Sequence, residues 1–353
     1  MPDVPHAYDL NAREQQILRL VVESFVSTAG PVGSRFLAKR YPLGLSAASI
    51  RNTMSDLEDQ GYLDHPYTSA GRIPTELGYR TFVDALMESM RLPPTEAAIL
   101  QQKFDAFSQD TEAMLRESSK LLGHLSNLLG VVLTPRLSTG VLERLEIVPL
   151  SSERVMFVLS IEGGLVKTVM FEVNTTIPRA DLHHIVAVLN ERLAGLTLKE
   201  IRRTYADRVR DLGPVDSTGV VQLVLKASDR LFSEASQNRR VSYSGTQYLV
   251  AQPEFRDPEG LRNLIEFIED EAGLVQVLEA GADTTETQQA TIAIGQENDA
   301  AKAQNYSIVT ARYQLGGTVG TVGLIGPMRM DYQRAVALVE GVAAVLDDAQ
   351  AKP

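Results

Sequence analysis

The sequence predicts an α+β protein of several domains, with a small helical region first and a larger part of helices and strands after it. Two observations support this fold class. Residues 1–91 contain three short helical stripes and a polar hairpin, whereas from Leu142 onward the hydrophobic period changes to two. The length of 353 residues also exceeds that of one ordinary domain, so two or three domains are expected.

Composition excludes several classes of protein. Hydrophobic residues make up 44% of the chain and charged residues 22%, as in ordinary soluble globular proteins. The sequence has no apolar run of about 20 residues and no signal-peptide pattern at its start, so we expect a cytoplasmic protein that does not contact a membrane. The absence of cysteine excludes disulfides, thiolate catalysis and cysteine-based zinc sites.

A short basic segment interrupts a chain whose formal net charge is −11. Residues 31–55 contain no Asp or Glu, and their four basic residues are Arg35, Lys39, Arg40 and Arg51. Because the rest of the chain is acidic, non-specific attraction of nucleic acid by the whole surface is unfavourable. The pattern therefore indicates a protein that contacts DNA through one small face.

The first helix has recognisable signals at both ends. Asn11 followed by Glu14 is typical of a capping box, and an apolar stripe then runs to Phe25. Ala29-Gly30-Pro31 predicts the end of this helix.

Two more short helices are expected around a turn at residues 41–44. We expect Ser34 to cap the second helix, with Phe36 and Leu37 facing inward and Lys39 and Arg40 exposed. A third helix should begin at a Ser46 cap, place Ile50, Met54 and Leu57 in the core, and end at Gly61.

A hairpin, or wing, is predicted after the third helix. Tyr62–His65 and Arg72-Ile73 flank a polar turn at residues 68–71, which places Arg72 at the tip, where it could enter a minor groove or contact phosphate. Arg72 could equally be a solvated loop residue. Pro74-Thr75 should open a further helix that runs to Met90.

The rest of the chain is divided by changes of period. Leu92-Pro93-Pro94 predicts a stiff linker, and a long helical stretch to about residue 129, with a break near 108–110, follows it. Residues 155–161 and 165–173 alternate around Glu162-Gly163-Gly164, which predicts an antiparallel hairpin. Residues 180–240 return to a helical period.

Strand patterns resume at residues 291–294, 307–313 and 318–325, and a last helix is expected from Asp331. Strands that stop, give way to helices and start again are typical of one domain inserted into another. We therefore expect a DNA-binding domain at 1–91, a discontinuous α+β domain at 92–179 and 256–353, and an insert at 180–255.

Residues 45–53 are the strongest candidate for a recognition helix. Small and polar side chains stand at the start of such a helix, where base edges and phosphates lie. A small helical bundle with a polar face would show the same pattern. The candidate DNA-binding residues are Ser34, Arg35, Lys39, Arg40, Ser46, Ser49, Arg51, Asn52 and Arg72.

Other kinds of site have weak support. Five glycines between Gly316 and Gly326 suggest nucleotide binding, but the interleaved Val319, Val322 and Ile325 favour a strand. His183 and His184 are adjacent on a predicted helix, so they point in different directions and are poorly placed to share a metal. No G-x-S-x-G elbow is present. We expect no catalytic residue, cofactor or metal, and hence no enzyme.

Long motifs at both ends of the chain carry a family resemblance. Residues 31–84, which include TSAGRIPT, and residues 294–334, which include IGQEN and IGPMRMDYQR, resemble the HrcA family of heat-inducible transcription repressors. The resemblance implies a winged helix-turn-helix, a GAF-like domain and a dimerisation domain inserted into the latter.

The resemblance also implies a target and a regulator. Members of this family repress chaperone operons by binding an inverted-repeat operator on double-stranded DNA, and a GroE-type chaperonin helps to keep them active. We therefore expect a homodimer in which two recognition helices meet two half-sites. The alternative is a regulator in which the GAF-like domain senses a small molecule.

Overall fold

The computed structural model describes residues 10–67, 71–106, 110–151, 153–172, 179–212, 219–232, 241–280 and 289–348. The N-terminal region, residues 12–86, contains helices α1 to α4, and a π-helical turn, Phe82–Leu86, extends α4. Its elements are α1 (Ala12–Thr28), α2 (Ser34–Arg40), α3 (Ala47–Asp59), β1 (Leu63–Asp64), β2 (Ile73–Pro74) and α4 (Glu76–Thr81).

Local signals of the N-terminal region act as the sequence predicts. Asn11 and Glu14 form the capping box of α1, and Ala29 ends that helix with a left-handed φ of 52°. The Ser46 hydroxyl accepts a hydrogen bond from the Ser49 N–H at 3.1 Å and so caps α3. These bonds join neighbours in sequence, which is why short patterns reveal them.

Three details of this region differ from the prediction. Gly33, not Ser34, is the N-cap of α2, and Ser34 is its first residue. The Phe36 side chain is 44% exposed, while Leu37 alone turns into the core. The helix after β2 ends at Leu86, short of the expected Met90.

The remaining elements form two sheets with helices around them. The helices are α5 (Pro94–Asp105), α6 (Thr111–Ser126), α7 (Arg179–Leu193), α8 (Leu198–Arg208), α9 (Val220–Phe232), α10 (Thr246–Val250), α11 (Pro258–Glu269), α12 (Glu271–Ala280) and α13 (Tyr332–Asp348). The strands are β3 (Leu129–Leu133), β4 (Leu142–Pro149), β5 (Arg154–Ile161), β6 (Leu165–Glu172), β7 (Val241–Ser244), β8 (Thr291–Ile294), β9 (Tyr306–Leu315) and β10 (Thr318–Pro327). A mixed α and β architecture is therefore confirmed.

A five-stranded antiparallel sheet of order β7-β3-β10-β9-β8 lies between two helical layers. Alternate residues of its strands face opposite cores: Val132 joins the core that includes α6 and α13, whereas Val131 joins the core that includes α11 and α12. The glycine-rich segment is strand β10, as the alternation predicts. A Cβ at Gly320 would lie 2.3 Å from Cζ of Tyr313, so the glycine admits that ring.

A second sheet, of order β4-β5-β6, is separate from the first. The predicted hairpin is confirmed, and Gly163 and Gly164 turn with φ of 88° and 71°. One face is buried, and Phe157 and Phe171 meet there edge to face at 5.3 Å. Helices α7 to α9 belong to the same buried core. We call residues 142–232 the inserted unit.

Strand pairing divides the chain differently from the predicted boundaries at 179 and 255. Strands β4 to β6, which were expected in the discontinuous domain, form a sheet of their own. Helices α7 to α9 share the buried core of this sheet. Strand β7, expected in the insert, pairs with β3 in the five-stranded sheet. Alternation indicates which face of a strand is buried but not which strand is its partner, so the sequence pattern could not assign these strands to their sheets.

The N-terminal region packs against the five-stranded sheet. Arg80 of α4 donates hydrogen bonds to the Glu297 carboxylate and to the Ile292 carbonyl, the latter at 2.8 Å. Arg329 donates to the Val26 carbonyl at the end of α1, at 2.9 Å. The expected linker at residues 92–94 leads directly into α5, which begins at Pro94.

Candidate nucleic-acid interface

Helix α3 separates a buried side from an exposed side. Ile50, Met54 and Leu57 are at most 3% exposed and hold the helix on the core. Arg51 and Asn52 are exposed, within two turns of the Ser46 cap. Helices α1 and α2 both pack against α3. The start of α3 is thus held rigidly with polar groups toward solvent.

Four cations on the adjacent helices α2 and α3 have no carboxylate partner among the described residues. Arg35, Lys39, Arg40 and Arg51 are exposed, and none forms an ion pair with any residue in the described part of the chain. An unpaired guanidinium or ammonium keeps all its donors for a ligand. On a chain of net charge −11, such a patch favours a polyanion at one place only.

Arg13 joins this surface, although the sequence reading did not single it out. Its Nη2 donates to the Ser49 carbonyl at 2.9 Å and to the Ser49 hydroxyl at 2.5 Å. The Ser49 side chain is therefore engaged within the protein, which ties α1 to the start of α3. One signal could have indicated Arg13, because a cation in the first turn of a helix opposes the helix dipole.

Arg72 does not lie at the tip of the hairpin, and this part of the prediction is wrong. Its backbone pairs with Val32 through two hydrogen bonds of 2.8 Å, which form an isolated β-bridge next to the hairpin. Gly71 permits this approach, since a Cβ there would lie 2.4 Å from the Val32 carbonyl oxygen. The tip residues 68–70 lie outside the described residues.

The Arg72 side chain instead connects the hairpin to α3. Its guanidinium pairs with the Glu58 carboxylate at 2.5 Å, and both side chains are less than one-fifth exposed. The other oxygen of Glu58 contacts Nδ1 of His65, just after β1. Glu58 thus holds both strands of the hairpin against the last turn of the candidate recognition helix.

Glu58, Asp64 and His65 also form a group with the geometry of a metal site, since their ligand atoms lie within 4.8 Å of one another. The Arg72 guanidinium already neutralises Glu58 and would repel a cation at the same place. The ion pair with Arg72 explains the arrangement. His183 and His184 are both exposed on α7.

The arrangement can recognise DNA but provides no reaction centre of its own. Exposed arginine and lysine side chains bind phosphate, and an exposed Arg-Asn pair at a helix start can donate to and accept from base edges. Ser34 and Ser46, at the starts of α2 and α3, are half-buried and exposed respectively. Among the described residues, no helix is long and apolar enough to cross a membrane.

Comparison with known proteins identifies relatives along nearly the whole chain. Residues 112–336 match the model of a family described as HrcA protein C-terminal domain. The chain is 42% identical over 347 residues to a heat-inducible transcription repressor HrcA from Chlorobium luteolum, covering 96% of this chain and 97% of that protein. A repressor of the same name from Chlorobaculum parvum is 42% identical over 349 residues, covering 97% and 98%.

A solved structure supports the fold. The crystal structure of a hypothetical protein at 2.2 Å resolution superimposes with a TM-score of 0.62 and covers 96% of this chain and 98% of its own. Its sequence is 22% identical, so the likeness concerns the fold alone.

Proposed function

This chain belongs to the HrcA family of heat-inducible transcription repressors, and we propose that it represses chaperone operons by binding an inverted-repeat operator as a homodimer. Family membership itself makes the chain a negative regulator of heat-shock transcription and not an enzyme. The observation that carries the proposal is the set of unpaired cations around the start of α3 in an otherwise acidic chain.

We propose that the N-terminal region is a winged helix-turn-helix. Helices α2 and α3 supply the two helices, and β1 and β2 supply the wing. In this arrangement α3 enters the major groove, where Arg51 can donate to guanine and Asn52 can bind adenine. Arg35, Lys39 and Arg40 of α2 contact phosphates, and Ser34 and Ser46 donate to phosphate near the helix starts.

Two of the predicted contacts take another form in this proposal. The Ser49 hydroxyl is bonded to Arg13, so Arg13 replaces it as the group nearest to the DNA backbone. The Arg72 guanidinium is held by Glu58, so Arg72 acts as a positioning residue that fixes the wing. The charge of Arg13 still adds to the attraction of the phosphate backbone.

The inserted unit offers a surface for a second copy of the chain. The outer face of its sheet is apolar at Val148, Val166 and Met170, which are 37%, 55% and 58% exposed. Val148, Met156 and Met170 form one row across the three strands. Ion pairs between Arg144 and Glu146 and between Arg154 and Glu172 lie on the same face. An exposed apolar row bordered by charged residues resembles an interaction site, and a two-fold dimer would let the same row cover itself.

We propose domain roles that follow the strand pairing. The five-stranded sheet with α5, α6 and α10 to α13 would be the GAF-like domain, and the inserted unit, residues 142–232, would be the dimerisation domain. Dimerisation then places two copies of α3 at the spacing of two half-sites. Footprinting on the promoters of chaperone operons tests the proposal. The repressor should protect both halves of an inverted repeat, and a lack of protection at every promoter tested would refute the proposal.

We propose further that heat releases the repressor through its own unfolding. Folded proteins are stable by only about 5–15 kcal/mol, so a moderate rise in temperature can depopulate a marginal fold. A GroE-type chaperonin would refold the repressor, and clients damaged by heat would compete for that chaperonin. Operator occupancy and circular dichroism should then fall together on heating, and added chaperonin should restore both. Loss of occupancy with an intact fold would contradict this mechanism.

A further inference from the structure

Two arginines join the N-terminal region to the part of the chain that contains the five-stranded sheet. The first, Arg80 of α4, donates from Nε to one Glu297 oxygen at 2.7 Å and from Nη2 to the other. Its Nη2 also donates to the Ile292 carbonyl of β8 at 2.8 Å, and only 26% of the side chain is exposed. A guanidinium that binds both oxygens of one carboxylate fixes a direction as well as a distance. Helix α4 is therefore held at a defined angle to β8.

The second connection is made by Arg329, which follows β10. Its Nη1 donates to the Val26 carbonyl at 2.9 Å, close to the end of α1. Its Nε and Nη2 donate to the Glu254 carboxylate, and Nη2 also donates to the Gln252 side chain at 2.9 Å. The side chain is only 10% exposed. Because Glu254 and Gln252 hold the guanidinium from the side of the sheet, α1 cannot turn relative to the sheet without losing the bond to Val26.

Helix α1 connects the second contact to the candidate recognition helix. Arg13, at the opposite end of α1 from Val26, donates to the Ser49 carbonyl near the start of α3 at 2.9 Å. The same helix also packs directly against α3. The start of α3 is thus connected to the sheet through one continuous helix, so its direction follows the direction of α1. We call the contacts of Arg80 and Arg329 the arginine clamps.

The covalent connection between the two parts does not fix this orientation. Residues 87–93 form neither helix nor strand, and a stretch of this length can extend over at most about 25 Å. Apolar packing is also present, since the rings of Tyr79 and Tyr332 lie with their centroids 6.0 Å apart. Burial of apolar surface holds two bodies together without favouring one angle, because it is not directional. The arginine clamps are therefore the contacts that define the angle.

We propose that the arginine clamps determine which spacing of operator half-sites the repressor accepts. In a dimer, the distance and angle between two recognition helices are fixed only if each helix is fixed to the rest of its own subunit. A clamped dimer accepts one spacing, whereas a dimer with loosely tethered N-terminal regions accepts several. Arg80 and Arg329 are then positioning residues that act through α4 and α1. This inference rests on the proposed function, because it requires a dimer on an inverted repeat.

Operators with altered spacers test this inference on the full-length protein. Two base pairs inserted between the half-sites rotate one half-site relative to the other by roughly 70°. The wild-type protein should bind this operator at least about tenfold more weakly than the natural one, whereas Arg80→Ala and Arg329→Ala should lose less than about threefold. Affinity for a single half-site should be equal in all of them, because α3 is unchanged. Arg19→Ala removes an arginine that pairs only within the N-terminal region, and this matched control should keep the wild-type preference.

A distance measurement tests the clamps without DNA. The chain has no cysteine, so Gln60→Cys at the end of α3 and Glu266→Cys on α11 provide sites for two spin labels. Excess unlabelled protein ensures that only one subunit of a dimer carries the labels. The distribution of distances between the labels should be narrow with Arg80 present and at least about twofold wider in Arg80→Ala. Arg80→Lys should give an intermediate width, because an ammonium keeps the charge but cannot bind both carboxylate oxygens in the same fork geometry.

The two measurements separate this inference from the proposed function. If the wild-type protein binds no inverted repeat, both fail. If it binds the natural repeat but Arg80→Ala and Arg329→Ala keep its spacing preference, only the role of the clamps is refuted. A distance distribution in Arg80→Ala as narrow as that of the parent protein would also refute it. A higher affinity of either variant for the natural operator would overturn the inference as well, because the clamped orientation would then oppose DNA binding.

Discussion

The surface formed by α2 and the start of α3 differs from the inserted unit in how its arginines are paired. On α2 and the start of α3, Arg35, Arg40 and Arg51 have no carboxylate partner among the described residues. In the inserted unit, Arg192 pairs with Asp211 at 2.5 Å, and other pairs are Arg202 with Asp229 and Arg210 with Asp207. Positive charge is therefore left available on α2 and the start of α3, whereas these three arginines of the inserted unit are neutralised.

Exposed apolar side chains form a row on the inserted unit, and the start of α3 has no such row. The inserted unit exposes a row of methionine and valine side chains on its outer sheet face, whereas α3 exposes polar groups near its start. A protein partner is bound mainly by apolar burial, and the DNA backbone is bound mainly by charge. The contrast supports the proposal that one surface binds DNA and the other a second copy of the chain.

The largest effect is expected from breaking the apolar surface. Met170→Glu should separate the subunits, because it places a charge within the apolar row of the proposed interface. Operator affinity should then fall by about 100-fold or more, since the linked second half-site is lost. Sedimentation and operator titration measure the two effects, and Met90→Glu, at another exposed methionine, is the control. A Met170→Glu protein that remains a dimer would show that the interface lies elsewhere.

A smaller effect is expected from the base-reading end of α3. Arg51→Ala should cost about 1–3 kcal/mol of specific binding and relax the base preference at one position of each half-site. Arg203→Ala, which removes an exposed arginine of the inserted unit, should leave operator affinity unchanged. Binding to a set of single-base operator variants measures both. If Arg51→Ala and Arg203→Ala leave the same operator affinity and the same base preference, Arg51 does not contact a base.

Phosphate contacts should be weaker individually and independent of sequence. Lys39→Ala should reduce affinity for operator and random DNA by the same factor and lower the slope of log affinity against log salt by about 1. Titrations at several salt concentrations measure the slope. A change for the operator alone would mean that Lys39 contacts a base.

The smallest effect concerns a paired arginine. The hydrogen bonds from Arg192 lower the pKa of Asp211 from 3.8 to about 2. A carboxyl with a lowered pKa in the folded protein stabilises it above the unfolded pKa, and this contribution is lost as pH falls from about 4 to about 2. Asp211→Asn should therefore lower the urea midpoint slightly near pH 7, and the difference should shrink toward pH 3. Operator affinity near pH 7 should not change.

Much of the N-terminal region could be predicted because its signals are local. The capping box of α1, the Ser46 cap and the turn at Gly44 each depend on residues within a few positions of one another. The exposure of Lys39, Arg40, Arg51 and Asn52 also follows from helical periodicity, since burial of Leu37 and Ile50 leaves those positions outside. The same reasoning failed for Phe36, which a short helix cannot turn inward together with Leu37.

Contacts between distant residues were not predictable in the same way. The Arg13 side chain bonds to Ser49, which is 36 positions away in the sequence. The Arg72 side chain pairs with Glu58 and does not lie at the hairpin tip. A charged side chain has many possible partners, and the sequence does not state which carboxylate or hydroxyl the fold brings near. For that reason, the list of candidate residues omitted Arg13 and placed Arg72 wrongly.

The sequence by itself determined the first helices, the β5-β6 hairpin, strands β8 to β10, the basic segment and the motifs of the family, because each depends on neighbouring residues or on a long continuous motif. It did not reveal strands β3 and β7. Tertiary structure alone decided that β4 to β6 form a separate sheet, that β7 joins β3, and that Arg72 pairs with Glu58. The physical reason is that strand partners and cavities depend on which surfaces meet in space. Periodicity records only which side of each element is buried.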